Sequence, residues 1–191
     1  MKIVGIITRK SKSEEDHNID YIYSNIAKMI YDCGAIPIGI VLNEKYKKVI
    51  DICDGIIFQG GDSFLEYDKE ALLYCYENDI PTLGICLGMQ LMGCVFGGKL
   101  IDIRGHKNTY HEIKIDKDSK LYSVFNNEII KVNSRHKSVL KNTNLNITSK
   151  SMDGYIESIE DSSKKFFIGV QWHPEDIEQI EIFKKLIDST Y

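Results

Sequence analysis

Cys86 stands between glycines two residues away on either side, in Leu83-Gly84-Ile85-Cys86-Leu87-Gly88-Met89-Gln90, where an apolar stretch runs directly into a helix-like one. A Gly-x-nucleophile-x-Gly arrangement lets a strand turn sharply into a helix and lifts the central side chain out of the sheet at the helix N-terminus. Exposed N–H groups and the positive end of the helix dipole stabilise a thiolate there, and the Leu87 N–H is placed to bind an oxyanion. Taken alone, the motif describes a core cysteine packed between two glycines equally well, so a base must accompany it.

Gly169-Val170-Gln171-Trp172-His173-Pro174-Glu175 supplies one. Pro174 disfavours the helical region for His173, and in an extended segment alternate side chains point the same way, so His173 and Glu175 can share a face. A carboxylate bonded to one imidazole nitrogen leaves the other free to take a thiol proton. Alone, Glu175 is only an acid favoured at a helix N-terminus and His173 a satisfied histidine. Beside Cys86 they read as orienter and base. A second oxyanion donor is expected from Gln59-Gly60-Gly61-Asp62, a loop at a strand's carboxyl end, with Gly61 donating its N–H while Asp62 caps a helix.

The elements that must position these residues alternate. An apolar run over residues 2–8 reads as a strand, and Ile19, Ile22, Ile26, Met29, Ile30 and Cys33 recur at helical spacing until Gly34. The run Ser13-Glu14-Glu15-Asp16 then reads as the solvated start of that helix. Further strands are expected over 35–41, 55–58 and 82–85, with helices at 46–53 and 66–78 between them. This alternation predicts an α/β fold with a parallel sheet covered on both faces. After Gly97-Gly98 come strand-like segments at 111–115, 129–132, 145–148, 155–159 and 166–171 without long helices, and a closing helix over about 175–188.

With 191 residues, 43% hydrophobic and 27% charged, the chain has the composition of one globular domain spanning 1–191. Its 24 basic against 28 acidic residues, net −4, lack the basic excess that binding nucleic acid needs. The first apolar run is too short for a signal-peptide core or a membrane span, so a cytoplasmic protein is expected. The five cysteines include no Cys-x-x-Cys pair; Cys33, Cys53, Cys75 and Cys94 read as reduced core thiols. His106 and His111 lack cysteine or acidic ligands at zinc spacing, and neither a metal nor a cofactor is expected.

Together the segments around Cys86 and His173 resemble the class I glutamine amidotransferase superfamily, with its catalytic Cys, His and Glu in this order and separation. Within it the chain is similar to the stand-alone gamma-glutamyl hydrolases, the branch that includes gamma-glutamyl-gamma-aminobutyrate hydrolase. Gly34-Ala35-Ile36-Pro37, Val132-Asn133-Ser134-Arg135-His136 and Asp153-Gly154-Tyr155-Ile156-Glu157 carry that further likeness.

The resemblance implies a flavodoxin-like three-layer sandwich, with a mostly parallel sheet and an additional antiparallel region in the C-terminal half. It also implies cleavage of a small gamma-glutamyl amide through a thioester on Cys86, with His173 and Glu175 completing the triad and Gly61 and Leu87 forming the oxyanion hole. Gln90 lies one helical turn after Cys86 and is expected on the substrate together with Gly60, Ser134, Arg135 and His136. Two features depart from the hydrolase pattern. Leu87 stands where that branch often has Arg, and His136-Lys137-Ser138 where it has His-x-Gln. Leu at the first position resembles glutaminase subunits that release ammonia from glutamine for a separate synthase, which is the alternative reading. A silent binding module is disfavoured by the intact triad, and a homodimer is left open.

Overall fold

The computed structural model describes residues 1–190. The β-branched run expected at the start forms β1 (Ile3–Ile7), followed by β2 (Arg9–Lys12), β3 (Asn18–Tyr21) and α1 (Ser24–Asp32). β4 (Ile36–Ile40), α2 (Tyr46–Ile50), β5 (Gly55–Phe58), α3 (Asp68–Glu77), β6 (Thr82–Ile85) and α4 (Leu87–Val95) complete the alternating half. The second half contains β7 (Lys99–Asp102), β8 (Lys107–Ile115), α5 (Lys120–Phe125), β9 (Ile129–Arg135), β10 (Ser138–Asn142), β11 (Asn146–Ser151), β12 (Ile156–Glu160) and β13 (Phe167–Val170). A 3₁₀ turn, Pro174–Asp176, and α6 (Ile180–Asp188) end it.

Nine strands make one sheet in the order β4-β1-β5-β6-β13-β12-β11-β8-β9. β4, β1, β5, β6 and β13 run parallel, and β12, β11, β8 and β9 continue the sheet antiparallel. The α/β class, the parallel core and the antiparallel C-terminal extension all match the sequence reading. Apolar side chains alternate across the sheet into two cores. Val4, Ile6, Ile57, Leu83 and Ile85 pack against α1, α5 and α6, while Ile7, Ile56 and Phe58 pack against α2, α3 and α4. The result is three layers. Among the described residues no helix is long and apolar enough to cross a membrane.

The structure corrects the sequence reading at several elements. The helix expected from Ile19 starts only at Ser24, because residues 9–21 form the antiparallel β2–β3 hairpin. The acidic run is the hairpin turn, not a helix start: the Ser13 hydroxyl accepts the N–H of His17, and Asp16 takes a positive φ of 61°. Ile19 is exposed, so its spacing to Ile22 and Ile26 does not mark a buried face. α6 begins at Ile180 rather than near 175, where Pro174 instead opens the 3₁₀ turn. β7, β10 and α5 are additions to the elements expected from the sequence. β7 and β10 pair with each other outside the main sheet, and their apolar pattern is short.

Candidate active site

Because β1, β5, β6 and β13 are parallel, the residues that follow them emerge along one edge, where open α/β sheets form ligand crevices. Arg9, the Gln59–Asp62 loop, Cys86 and the Gln171–Glu175 segment all arise there.

Cys86 links β6 to α4 with φ 53° and ψ −104°, a backbone conformation that costs a side-chain-bearing residue about 1–3 kcal/mol. Hydrogen bonds hold it: the Cys86 N–H donates to the Val170 carbonyl at 2.8 Å, and its own carbonyl accepts the Gln90 N–H at 3.0 Å. Gly88 allows α4 to press onto β5, since a Cβ there would stand 1.9 Å from the Phe58 carbonyl oxygen. The turn thus has the form the sequence predicts. The Leu87 N–H opens α4, among the first N–H groups that have no partner within a helix.

His173 is extended, with φ −109° and ψ 88°, and its Nδ1 lies 2.7 Å from Glu175 Oε1, both residues being buried. The Nε2 end of the ring converges with Cys86 on Gly60. A Cβ built on Gly60 would lie 2.9 Å from His173 Cε1, 3.6 Å from its Nε2 and 3.6 Å from Cys86 Cβ. Burial opposes charge on His173, but hydrogen bonds to Cys86 and Glu175 and their negative charge outweigh it, raising the imidazole to about 10. His173 is therefore an imidazolium at neutral pH. A negatively charged cysteine sulfur, an imidazolium and an orienting carboxylate in this arrangement can attack a carbonyl and protonate its leaving group.

Two further residues join the site that the sequence did not single out. Asn133, on β9, accepts the His173 N–H at 2.8 Å and donates to the His173 carbonyl at 2.9 Å. Gln171, fully buried, places Nε2 3.7 Å from Cys86 Sγ, while its Oε1 accepts from Gln90 Nε2 at 3.1 Å. Both lie inside motifs quoted from the sequence, but nothing in their spacing reveals these long-range bonds.

Cys86 opens onto two cavities. One, of about 350 Å³, is lined by Tyr23, Asn25, Gly61, Asp62, His173 and Asp176; the other, of about 240 Å³, by Gly61, Leu87, Gln90, Arg135, His136 and Ser138. A larger depression of about 500 Å³ between β8 and β11 has no histidine or cysteine in its lining. Of the residues expected on the substrate, Gln90, Arg135 and His136 line the smaller cavity. The Gln90 amide nitrogen is also occupied by the Ser138 carbonyl at 2.8 Å. Arg135 lines both cavities and pairs with Asp176 at 2.6 Å. Ser134 is fully buried and its hydroxyl donates to the His106 carbonyl, so its side chain does not face either cavity. Gly60 backs the His173 ring, and the cavity side of its loop belongs to Gly61 and Asp62. Burial, with His106 and His111 adding to it, pushes His136 down to about 3, so its ring is neutral at physiological pH.

The loop is anchored from below. Arg9 is buried, with Nη1 2.6 Å from Asp68 Oδ2 and Nη2 donating to the Gln59 carbonyl at 3.1 Å. Gln59 in turn donates to the carbonyls of Ile7 and Tyr21 and accepts the Tyr23 N–H.

Residues 17–188 match the family described as Glutamine amidotransferase class-I. The chain is 27% identical over 246 aligned positions to a candidate glutamine amidotransferase-like protein of Rickettsia prowazekii, covering 87% of this chain and 88% of that one. It is 33% identical over 142 positions to one subunit of the glutamine-hydrolysing GMP synthase of Archaeoglobus fulgidus, covering 71% of this chain and 75% of that one. The match to the CTP synthase of Nautilia profundicola, at 26% identity, covers 77% of this chain but only 36% of that enzyme. Among solved structures, the glutaminase domain of Trypanosoma brucei CTP synthase with bound acivicin superposes with a TM-score of 0.79 at 15% identity, covering 99% of this chain and 93% of that one. A candidate GMP synthase subunit from Thermoplasma acidophilum superposes equally well, at 17% identity and with 94% of it covered.

Proposed function

The chain belongs to the class-I glutamine amidotransferase family, and from that premise we propose that it hydrolyses the gamma-glutamyl amide bond of a small amine conjugate. The observation that carries this reading is the convergence of Cys86, in its strained turn, and the His173–Glu175 pair on the Gly60–Gly61 loop.

Cys86 Sγ attacks the side-chain carbonyl carbon of the glutamyl group, and the N–H groups of Leu87 and Gly61 hold the developing oxyanion. The His173 imidazolium gives its proton to the departing nitrogen as the C–N bond breaks, leaving a thioester on Cys86. His173, now neutral, takes a proton from water, whose oxygen attacks the thioester; glutamate leaves and the proton returns to the Cys86–His173 pair. Glu175 orients His173 throughout.

The two cavities suit the two halves of such a substrate. The smaller one, with Gln90, Arg135 and the His136–Ser138 backbone, would take the amino-acid end. The larger one is lined by Tyr23, Asn25 and Asp62, polar groups that suit the amine end, while Asp176 there is already paired with Arg135. A second reading is favoured by the GMP and CTP synthase relatives: glutamine as substrate and ammonia passed to a synthase on another chain.

Turnover of free glutamine and of a panel of gamma-glutamyl amines by the purified chain, with Cys86→Ala as control, tests both. Turnover of the conjugates far above glutamine, with no added protein, supports the hydrolase. Glutamine turnover that rises only when a synthase is added supports the ammonia-delivering role, and undiminished turnover by Cys86→Ala overturns the mechanism.

A further inference from the structure

On the far side of His136 from Cys86, three imidazoles gather round one carboxylate. β11 stops at Ser151, which pairs with Ile113, so His111 lies beyond the last residue of β11 and reaches across to Glu157 on β12. Glu157 is fully buried. Its Oε1 lies 3.1 Å from His111 Nε2, 3.7 Å from His106 Nδ1 and 3.8 Å from His136 Nε2. The 3.1 Å contact lacks hydrogen-bond geometry. Among the described residues both Glu157 oxygens, His106 Nδ1 and both nitrogens of His111 have no hydrogen-bond partner. A buried carboxylate without donors is costly unless it takes up a proton or a cation sits beside it.

We infer that His106, His111 and Glu157 bind a divalent first-row transition-metal ion of the zinc type. Their ligand atoms lie within 4.8 Å of one another. Zinc bonds of about 2.0–2.2 Å in a tetrahedron set ligand atoms about 3.3–3.6 Å apart, and the contacts of 3.1 and 3.7 Å straddle that spacing. The other nitrogen of His106, Nε2, is 2.9 Å from Asp153 Oδ2. Donating that N–H to the carboxylate leaves the Nδ1 lone pair directed at Glu157, where two acceptors face each other until a cation comes between them. A carboxylate on the outer nitrogen of a ligating histidine is the usual support of such a site. Imidazole and carboxylate together suit zinc and its neighbours. A cavity of about 320 Å³, lined by Arg104, His106, His111 and Asp153, gives an ion its entry route. His136, beside Glu157, also lines the smaller cavity at Cys86, so the ion would brace one wall of the substrate pocket. The sequence hid this site because Glu157 is far from both histidines along the chain.

The full chain, stripped with a chelator and titrated with zinc, should bind about one equivalent, with affinity reduced about 10–100-fold by Asp153→Asn and further by His111→Gln. Asp153 is exposed, so its variant carries the test if His111→Gln fails to fold by circular dichroism. Cobalt(II) at the site should show visible bands of four-coordinate intensity and no thiolate-to-metal charge transfer. A folded chain that binds no metal overturns the inference. So does binding that neither variant weakens, or binding abolished by Cys86→Ala, which would put the ion on the thiol.

Discussion

The side-chain amide of Asn133 grips the main chain of His173 from both sides, accepting its N–H at 2.8 Å and donating to its carbonyl at 2.9 Å. This bridge joins β9 to the segment after β13, two regions that approach only in the folded protein, and it fixes the origin of the imidazole. Asn133→Leu should leave the buried His173 N–H unpaired, costing about 1–3 kcal/mol in urea unfolding, while the His173 carbonyl keeps the Asp176 N–H at 3.2 Å. A ring displaced by about 1 Å should also cost about 100-fold in kcat. Asn133→Asp keeps the acceptor but buries a carboxylate whose second oxygen faces the His173 carbonyl, so it should destabilise the chain at least as much as Asn133→Leu does. Equal activity in all three proteins would show that the bridge does not position His173.

The raised value of His173 makes a claim with a definite sign. Its imidazole stands at about 10 in the folded chain against an ordinary 6.5, so the folded state holds the proton more tightly than the unfolded state does. The stability this contributes is complete below about pH 6.5 and is lost as pH climbs toward about 10. Wild-type stability relative to His173→Gln should therefore decline across that window. If the same proton is delivered to the leaving amine, kcat should hold through neutral pH and fall as pH nears 10. Cys86→Ala removes the strongest upward influence on the ring, and the NMR titration midpoint of His173 should drop. An unmoved midpoint would break the link between thiol and imidazole.

What could be read from the sequence follows the range of the physics involved. Gly84, Gly88 and Pro174 act on their immediate neighbours, so the turn at Cys86 and the extended His173 with Glu175 beside it were legible. Alternating apolar periods gave the parallel core for the same reason. The β2–β3 hairpin was hidden because Ile19 falls by chance at helical spacing from residues of α1. Asn133, Gln171 and Glu157 were hidden because their partners are set by strand order and by where β11 ends, which no local pattern records.

The Arg9–Asp68 pair lies wholly in the interior, with side chains 3% and 0% exposed and 2.6 Å between charges. Removing one partner strands the other. Asp68→Ala should destabilise the fold by about 3–5 kcal/mol, whereas Arg9→Met combined with Asp68→Leu should recover most of that loss. Activity should not recover, since the double variant still lacks the hydrogen bond from Arg9 to the Gln59 carbonyl that anchors the Gly60–Gly61 loop. Full turnover by the stabilised double variant would show that the loop needs no such anchor.

Gly60 and Gly88 separate geometry needed for chemistry from geometry needed for folding. At Gly88 an added methyl meets the Phe58 carbonyl, which belongs to the sheet, so α4 must lift from β5. Gly88→Ala should lose about 3 kcal/mol or more. At Gly60 the obstacle is His173 Cε1 at 2.9 Å, and a ring can turn where a strand cannot. Its turning is opposed by the bonds to Cys86 and Glu175, so Gly60→Ala should cost about 1 kcal/mol in urea unfolding, at the low end of overpacking. The same rotation draws Nε2 away from Cys86, and kcat should fall about 100-fold while the fold survives. A Gly60→Ala protein with wild-type turnover would mean that the approach of this loop to His173 is incidental to the reaction.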